Sequence, residues 1–310
     1  MTSNNHIVIT AGYDCNSNCI MCHVGSKFHS KDNSTTEEIY KLLVEGRKNK
    51  ANSVEISGGE PTVRKDLVEI VSLANTLGFT TIGISTNGML LSDKEYCDKL
   101  VKAGLTYITV SLHAPNKKIS ELISGTPNSF NRTIKGIKNA INHKNLEVIV
   151  VTAVQKSNFK HLVELGHLIT DLGVNSWTIC DLVPAGMEKG KYAILNVNRR
   201  DLYKELMRLA PLQKTIHIVL FNLTLCTVPK DFSKNNITTI SRKCDETIFF
   251  SNNKKGACIK TTTDDGALRK IEICNSCKYA KECAGFWSEY FSLNGEKDIV
   301  ELAKQNDCLK

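Results

Sequence analysis

Residues 6–22 read HIVITAGYDCNSNCIMC, an apolar run of strand length followed by a loop with three cysteines. Cys15, Cys19 and Cys22 are spaced C-x3-C-x2-C, so their thiolates can bind three irons of a [4Fe–4S] cluster. Structural clusters normally have four cysteine ligands, and no fourth cysteine lies nearby, so one iron would stay open to a ligand that is not protein. We therefore predict a metal site that takes part in chemistry. A zinc knuckle completed by His23, or three buried cysteines, is the alternative interpretation.

Strands and helices alternate through the first two thirds of the chain. Apolar and β-branched runs predict strands at 6–10, 53–57, 80–85, 106–111, 146–153 and 174–180. Helices are predicted between them, at 35–49, 64–77, 92–103, 130–143 and 158–172. The predicted helix caps are Ser34 or Thr35 with Glu38, Ser92 with Glu95, and Ser157 or Asn158. Six units in about 180 residues are fewer than the eight of a complete barrel. The predicted fold class is therefore α/β, a partial (β/α)6 TIM-like barrel.

Polar loops follow the first four predicted strands. After the cysteine loop come Ser57-Gly58-Gly59-Glu60-Pro61, Ser85-Thr86-Asn87-Gly88 and Ser111-Leu112-His113-Ala114. Parallel barrels gather their active sites at the carboxyl ends of the strands, so we expect these loops to converge on one ligand. His113 is expected to be structural, as most histidines at strand ends are.

The loops carry groups suited to a polar ligand. Gly58 and Gly59 lack side chains, so a ligand could lie against the backbone, and Glu60 offers a carboxylate to an ammonium group. Ser85 and Asn87 could hydrogen-bond ribose hydroxyls. The alternative is structural, with glycines in a turn, an acid at a helix start and Asn87 as a cap.

These motifs, in this order and at these strand ends, resemble the radical S-adenosylmethionine (SAM) superfamily over roughly residues 6–185. Within it they look like the branch that contains the GTP 3′,8-cyclase of molybdenum cofactor synthesis and the SPASM/twitch peptide-modifying enzymes. The resemblance implies an enzyme whose [4Fe–4S] cluster binds SAM at its open iron. It further implies reductive cleavage of SAM to a 5′-deoxyadenosyl radical, which abstracts hydrogen from the substrate, and a flavodoxin- or ferredoxin-type electron donor.

The resemblance also implies roles for single residues. Cys15, Cys19 and Cys22 would be the cluster ligands. The implied SAM contacts are Met21 beside the adenine, Gly58, Gly59 and Glu60 at the methionine amino group, Ser85 and Ser111 at the ribose and carboxylate end, and Asn87 in support.

A second set of cysteines lies in the last third of the chain. Cys274, Cys277 and Cys283 are spaced C-x2-C-x5-C, and Cys244 and Cys258 lie upstream. This region resembles SPASM and cyclase auxiliary-cluster segments, although Trp287 stands where SPASM proteins have a further cysteine. The resemblance implies one auxiliary [4Fe–4S] cluster. We expect a C-terminal extension over 221–310 that carries it, after a barrel over 1–220.

The predicted auxiliary ligands are Cys258, Cys274, Cys277 and Cys283, with Cys244 as the main substitute. Four thiolates suit zinc equally well, so a zinc site is the alternative. The other four cysteines are less telling. Cys97 and Cys180 are expected to be buried apolar groups, whereas Cys226 and Cys308 could complete a cluster without any spacing that requires it. Residues 286–291 are predicted to form an amphipathic helix whose aromatic side chains cover the cluster.

The substrate is not identified by the sequence. The resemblance to the GTP cyclase implies arginines that bind substrate at the positions of Glu55 and Val8, and their loss would leave a triphosphate unpaired. We therefore expect another substrate, a peptide or a small molecule, with a GTP 3′,8-cyclase-like activity as the alternative. A non-catalytic iron–sulfur or zinc scaffold is the hypothesis of another class.

Composition limits the remaining possibilities. The 310 residues are 41% hydrophobic and carry a net charge of +8, which is scattered rather than blocked, so no dedicated nucleic-acid surface is indicated. The first residues lack the regions of a signal peptide, and no apolar run is long enough to span a membrane. Twelve cysteines without these features favour metal binding in a reducing, cytoplasmic setting.

Overall fold

The structure is a computed structural model that describes residues 6–22, 33–184, 187, 190–232, 237–238, 247–250, 267–281 and 283–309. The chain divides into two compact units. Described residues within 1–112, 120–150 and 244–260 belong to the first unit, and those within 113–119, 151–243 and 261–310 belong to the second. The predicted division into 1–220 and 221–310 stays a prediction.

The six predicted strands are all present, each within two residues of its predicted ends. Among the described residues the strands are β1 (His6–Thr10), β2 (Ser53–Ser57), β3 (Thr81–Thr86), β4 (Tyr107–Ser111), β5 (Glu147–Ala153), β6 (Ser176–Cys180), β7 (His217–Phe221), β8 (Ile237–Thr238), β9 (Thr247–Phe250), β10 (Leu268–Arg269) and β11 (Phe286–Trp287). The α-helices described are α1 (Thr36–Lys48), α2 (Leu67–Thr76), α3 (Lys94–Ala103), α4 (Lys117–Ser124), α5 (Ser129–Ile141), α6 (Leu162–Asp171), α7 (Lys191–Leu195), α8 (Arg199–Leu209), α9 (Ser288–Asn294) and α10 (Lys297–Gln305). None of these helices is long and apolar enough to cross a membrane.

The sheet of the first unit is parallel, in the order β9-β1-β2-β3-β4. One face is almost completely buried, and its residues are Ile7, Ile9, Val54, Ile56, Ile82, Ile84, Ile108 and Val110. On the other face Val8 pairs with Glu55, Glu55 with Gly83, and Gly83 with Tyr107. Because paired residues of neighbouring strands point to the same side, these four form one row. In this row Glu55 lies between Val8 and Gly83, and Tyr107 follows on the far side of Gly83.

Helix starts differ in how well the sequence predicts them. Thr35 begins α1 with the predicted capping box, since its hydroxyl accepts from the Glu38 N–H at 3.2 Å and the Glu38 carboxylate accepts from the Thr35 N–H at 2.7 Å. Ser92 was the wrong cap for α3. Asp93 Oδ1 accepts from the N–H of Glu95 at 2.9 Å, while the Ser92 hydroxyl donates to the Met89 carbonyl at 2.8 Å. An ionised acid is at least as good a cap as a serine hydroxyl.

The second unit contains the parallel strands β6-β7-β8 and an antiparallel pair, β10 with β11. The segment predicted as one helix over 286–291 is divided between β11 and α9. Its rings pack together, with Phe286 and Phe291 centroids 5.5 Å apart and Tyr290 and Phe291 centroids 6.0 Å apart. These aromatic residues form a buried cluster with Ile271 and Ile299, against which Cys274 packs.

A buried ion pair joins β6 to α8 within the second unit. Asp181 follows β6 directly, and its Oδ1 accepts from Arg199 Nη1 at 2.9 Å. The Arg199 guanidinium lies 4.8 Å from the ring centroid of Tyr290, and the backbone N–H of Arg199 donates to the Tyr290 hydroxyl at 3.0 Å. The Tyr290 hydroxyl in turn donates to the Asp298 carboxylate. This network anchors the C-terminal helices to the end of β6.

Candidate active site

The cysteine loop after β1 rests directly on the loop that follows β2. The Gly59 N–H donates to the Gly12 carbonyl at 2.9 Å, and the Glu60 N–H donates to the Asp14 carbonyl at 2.8 Å. A Cβ on Gly58, where φ is +133°, would lie 2.2 Å from the Gly12 oxygen, and a Cβ on Gly59 would lie 2.3 Å from the Asp14 oxygen. Both glycines are therefore required by the contact between the two loops, whatever a ligand needs.

Glu60 ties these loops to the one that follows β3. Its carboxylate is buried, with Oε1 accepting from the Thr62 N–H at 3.1 Å, the Thr62 hydroxyl at 2.5 Å and the Thr86 hydroxyl at 2.6 Å. Oε2 accepts from the Asn87 N–H at 2.6 Å. Burial raises the pKa of Glu60, and these hydrogen bonds act in the opposite direction. Oε2 can accept one further hydrogen bond, so a contact with the SAM ammonium stays a prediction.

Asn87 links the same three loops through its side chain and backbone. Its Nδ2 donates to Asn16 Oδ1 at 2.7 Å, inside the cysteine loop, and its Oδ1 accepts from the Met89 N–H at 3.0 Å. The Thr133 hydroxyl donates to the Asn87 carbonyl at 2.8 Å. With every polar group engaged, Asn87 is suited to hold the loops in register, in keeping with its predicted supporting role.

The three cysteines of the loop lie at or near the surface. Cys15 and Cys22 are exposed and Cys19 is half-buried. In the part of the chain that the structure describes, no three His, Cys, Asp or Glu side chains converge on a point suited to one metal ion. A cluster does not require such convergence, because each thiolate binds a different iron. Met21, between them, is buried.

Ser85, a predicted SAM contact, hydrogen-bonds to Glu55, a member of the row described above. Its hydroxyl donates to Glu55 Oε1, and the Tyr107 hydroxyl donates to Glu55 Oε2 at 3.0 Å. A Cβ on Gly83 would lie 2.0 Å from the Tyr107 ring, so only glycine leaves room for that ring. From the sequence, Glu55 was noted only because it stands where an arginine was expected. Its hydrogen bonds with Ser85 of β3 and Tyr107 of β4 were not anticipated. The strand alternation at positions 55, 83 and 107 could have indicated a shared face.

Ser111 and His113 differ in their surroundings. Ser111 lies at the end of β4 and is half-buried. Burial lowers the pKa of His113 to about 4, and its Nδ1 accepts from the Ala153 N–H at 3.2 Å. Asn158 Nδ2 donates to the carbonyls of His113 and Ala153, each at 2.9 Å, instead of capping α6. A neutral histidine that accepts from the backbone has the structural role that the sequence suggested.

The C-terminal cysteines surround a cavity in the second unit. Cys274, Cys277 and Cys283 line it together with Cys226. The thiols of Cys283, Cys308 and Cys274 add to burial in raising the pKa of Cys226. Two predicted ligands, Cys244 and Cys258, lie outside the described residues.

Cys308 also belongs to this neighbourhood. The Lys278 N–H donates to the Cys308 carbonyl at 2.8 Å, and burial raises the pKa of the Cys308 thiol to about 11, with Cys277 contributing. Sequence reasoning gave Cys226 and Cys308 little weight because local spacing cannot show which distant cysteines return to the motif. Cys97, by contrast, is buried in α3, as predicted.

The cysteine loop at the end of β1, framed by the loops after β2 and β3, lies where parallel α/β folds place their active sites. The sequence profile of the radical SAM superfamily matches residues 9–169. The chain belongs to the radical SAM superfamily, and it is an enzyme of that class. Membership implies SAM and a [4Fe–4S] cluster as cofactors.

The chain also has relatives in sequence. The chain is 36% identical over 181 residues to a probable GTP 3′,8-cyclase of Saccharolobus islandicus, and 30% identical over 184 residues to one of Sulfurisphaera tokodaii. It spans 58% of the length of each relative, which in turn match 58% and 59% of this chain.

In fold, the chain is similar to anSMEcpe with bound AdoMet, with a TM-score of 0.69 and 18% identity, over 97% of this chain and 93% of that one. It is also similar to Streptococcus suis SuiB bound to S-adenosylmethionine, with a TM-score of 0.66 and 16% identity, over 93% and 74%. These matches confirm the predicted α/β partial barrel.

Proposed function

We propose that this protein reductively cleaves SAM and uses the resulting 5′-deoxyadenosyl radical to abstract hydrogen from a substrate. The supporting observation is the backbone contact that fixes the cysteine loop against Gly59 and Glu60, with Glu60 holding the loop after β3. The bound cluster would supply the electron that breaks the C5′–S bond. The protein's own part is to present Cys15, Cys19 and Cys22 at one strand end and to orient SAM beside them.

The SAM contacts are proposed as the resemblance implies them. Met21 would lie beside the adenine, Glu60 Oε2 would accept from the methionine ammonium, and Ser111 would reach the ribose and carboxylate end. Ser85 can join them only if its hydroxyl leaves Glu55. Gly58 and Gly59 would contribute backbone groups, and Asn87 would position the loop.

SAM cleavage tests the proposal. The anaerobically reconstituted protein should form 5′-deoxyadenosine from SAM when dithionite is added. A variant with Cys15, Cys19 and Cys22 all changed to Ala should form none while keeping its far-ultraviolet circular dichroism, because the loop lies outside the buried core. Cleavage by the triple variant would contradict the assignment, and so would a cluster-loaded protein that fails to cleave SAM.

We propose a substrate other than GTP. A carboxylate at position 55 would repel a triphosphate. Here this carboxylate already accepts hydrogen bonds from Ser85 and Tyr107 on the half-buried face of the sheet. A peptide is favoured because structures of similar fold include SuiB bound to the precursor peptide SuiA and anSMEcpe with a bound peptide. A flavodoxin- or ferredoxin-type protein would donate the electron, and we expect the enzyme to work in the cytoplasm.

A GTP 3′,8-cyclase-like activity is the second candidate, favoured by the 36% identity to relatives with that name. Incubation with GTP, SAM and dithionite, followed by chromatography of the nucleotides, separates the two. Our proposal predicts unchanged GTP. Conversion of GTP to a cyclised product would establish the alternative and make Glu55 compatible with a triphosphate.

We also propose an auxiliary [4Fe–4S] cluster on Cys274, Cys277 and Cys283. The predicted fourth ligand is Cys258, with Cys244 as its substitute, and Cys226 is a further candidate because it lines the same cavity. Cys226, Cys274, Cys277 and Cys283 all line one cavity, so enough thiols are present there to bind the cluster.

Iron content tests this cluster. The reconstituted protein should hold about eight irons per chain, and a variant with Cys274 and Cys277 changed to Ala should hold about four. That variant should still cleave SAM but lose product formation. One equivalent of zinc, unaffected by anaerobic handling, would contradict the proposal.

A further inference from the structure

The cysteine loop has a second partner in the first unit, the turn between α4 and α5. The Asn18 N–H donates to the Ser124 carbonyl and the Ile20 N–H donates to the Ile123 carbonyl, each at 2.9 Å. Both acceptors belong to the last turn of α4, where a helix leaves its carbonyls without intrahelical partners. The loop thus supplies the donors that the end of this helix requires. No helix was predicted over residues 117–124, so this contact was not anticipated.

Side chains extend the same contact towards a cluster ligand. The Ser17 hydroxyl donates to the Ser124 carbonyl at 3.0 Å and accepts from the Thr126 hydroxyl at 3.3 Å. The same Ser17 oxygen lies 3.3 Å from Cys19 Sγ. Ser17 is therefore positioned between the turn and one of the sulfur atoms that would bind iron.

Gly125 allows this close approach. Its φ of +61° lies in the left-handed region, which ends α4 and turns the Ser124 carbonyl towards the loop. A Cβ at this position would lie 2.4 Å from the Asn18 oxygen, which is backbone and cannot swing aside. Side chains other than hydrogen would therefore push the cysteine loop away from the helix end.

We infer that the α4–α5 turn, Ser124-Gly125-Thr126, is a clamp that positions the cysteine loop for its cluster, with Ser17 as the positioning residue that connects the clamp to Cys19. The inference rests on the cluster that superfamily membership implies and does not depend on the proposed substrate. The end of α4 and the clamp hold the Asn18 and Ile20 amides of the cysteine loop. The Gly58-Gly59 loop holds the start of the same loop, at Gly12. A thiolate at Cys19 can accept the Ser17 O–H in place of the Ser124 carbonyl, and hydrogen bonds to cluster sulfurs tune the reduction potential, so Ser17 links the clamp to electron transfer.

Gly125→Ala tests the clamp, with Gly78→Ala as its matched control. Gly78 also has a left-handed φ, +82°, but the nearest atom to an added Cβ is the Arg47 side chain at 3.8 Å, remote from the loop. Both variants place an alanine at a left-handed φ, and only the first brings its Cβ against the loop. Loss of an outer-shell contact typically lowers metal affinity about tenfold to a hundredfold, and with that loss assigned to the release rate, iron release to a chelator should be faster in Gly125→Ala by the same factor. Release is followed through the electron paramagnetic resonance signal that responds to SAM. Gly78→Ala should match the wild type. Equal release from both variants would overturn the clamp.

Ser17→Ala keeps the test decisive even if Gly125→Ala fails to fold. Ser92→Ala is its control, since it also removes a hydroxyl that donates to a backbone carbonyl, at 2.8 Å, in another loop. Ser17→Ala should shift the midpoint potential of the SAM-responsive cluster and speed its loss of iron, whereas Ser92→Ala should do neither. An unchanged potential in Ser17→Ala would overturn the role of Ser17. SAM cleavage is measured in parallel, so that failure of the clamp is distinguished from failure of the proposed function.

Discussion

Replacing Glu60 by Gln is expected to lower the melting temperature of the protein before any cofactor is bound. The carboxylate accepts four hydrogen bonds, and an amide nitrogen cannot accept any of them. The less costly orientation of the amide places its nitrogen at the Oε2 position, where it opposes the Asn87 N–H. That orientation loses one charge-assisted hydrogen bond and leaves a buried donor unpaired, together about 3 kcal/mol.

Burial of the charge offsets part of this cost. Because burial raises the pKa of Glu60, removing the charge relieves some desolvation, so the net loss is smaller than about 3 kcal/mol. At 2–4 °C per kcal/mol for units of this size, the melting temperature should fall by several degrees, and by no more than about 6–12 °C. Glu45→Gln, at an exposed position of α1, is the control and should stay within about 0.5 kcal/mol of the wild type. If the melting temperature of Glu60→Gln equals that of Glu45→Gln, Glu60 does not hold the loops together. If its affinity for SAM is also unchanged, Glu60 has no part in the site.

Three further changes test the scaffold around the site. Burial lowers the pKa of His113 to about 4, so the unfolded chain binds its proton first and the free energy of unfolding should fall by up to about 3 kcal/mol as the pH drops from about 6.5 to about 4. Urea titrations across that range should show a shallower loss in His113→Gln, and equal slopes would contradict the buried neutral state. Asp181→Asn should destabilise the chain by about 3–5 kcal/mol, because it leaves the buried Arg199 guanidinium without its charge partner. A loss below about 1 kcal/mol in urea unfolding would mean that solvent reaches the pair. Gly83→Ala should cost about 1–3 kcal/mol by forcing its methyl group against the Tyr107 ring, and a thermal melt like that of the wild type would refute the contact.

Much of the fold can be predicted from the sequence because its strands are regular. The apolar runs at 53–57 and 106–111 mark β2 and β4 to within one residue, since β-branched residues bounded by polar loops leave few alternatives. The cap of α3 could not be chosen reliably, because Ser92 and Asp93 are adjacent and both are suitable caps. Helix α4 escaped prediction because it is short and follows β4 within a few residues.

The candidate site was also predicted only in part. The motifs placed the cysteine, Gly-Gly-Glu-Pro and Ser-Thr-Asn-Gly loops at neighbouring strand ends, which the structure confirms for the first unit. What they could not show is which groups bind one another across loops. The Glu60 carboxylate contacts Thr86 and Asn87, and the Asn18 amide contacts α4, through bonds between residues 26 to 106 positions apart. Long-range partners depend on packing, and a single sequence carries no local signal for them.

The electron paramagnetic resonance spectrum of the reduced protein, recorded with and without SAM, tests the central claim most directly. The claim is that three cysteines of one loop bind a [4Fe–4S] cluster with an open iron, to which SAM binds. We predict that one component of the cluster signal changes when SAM is added, and that this component is lost when Cys15, Cys19 and Cys22 are all changed to Ala, while the auxiliary cluster keeps its own signal. A spectrum in which no component responds to SAM, or a component that responds to SAM in the triple variant, would contradict the claim.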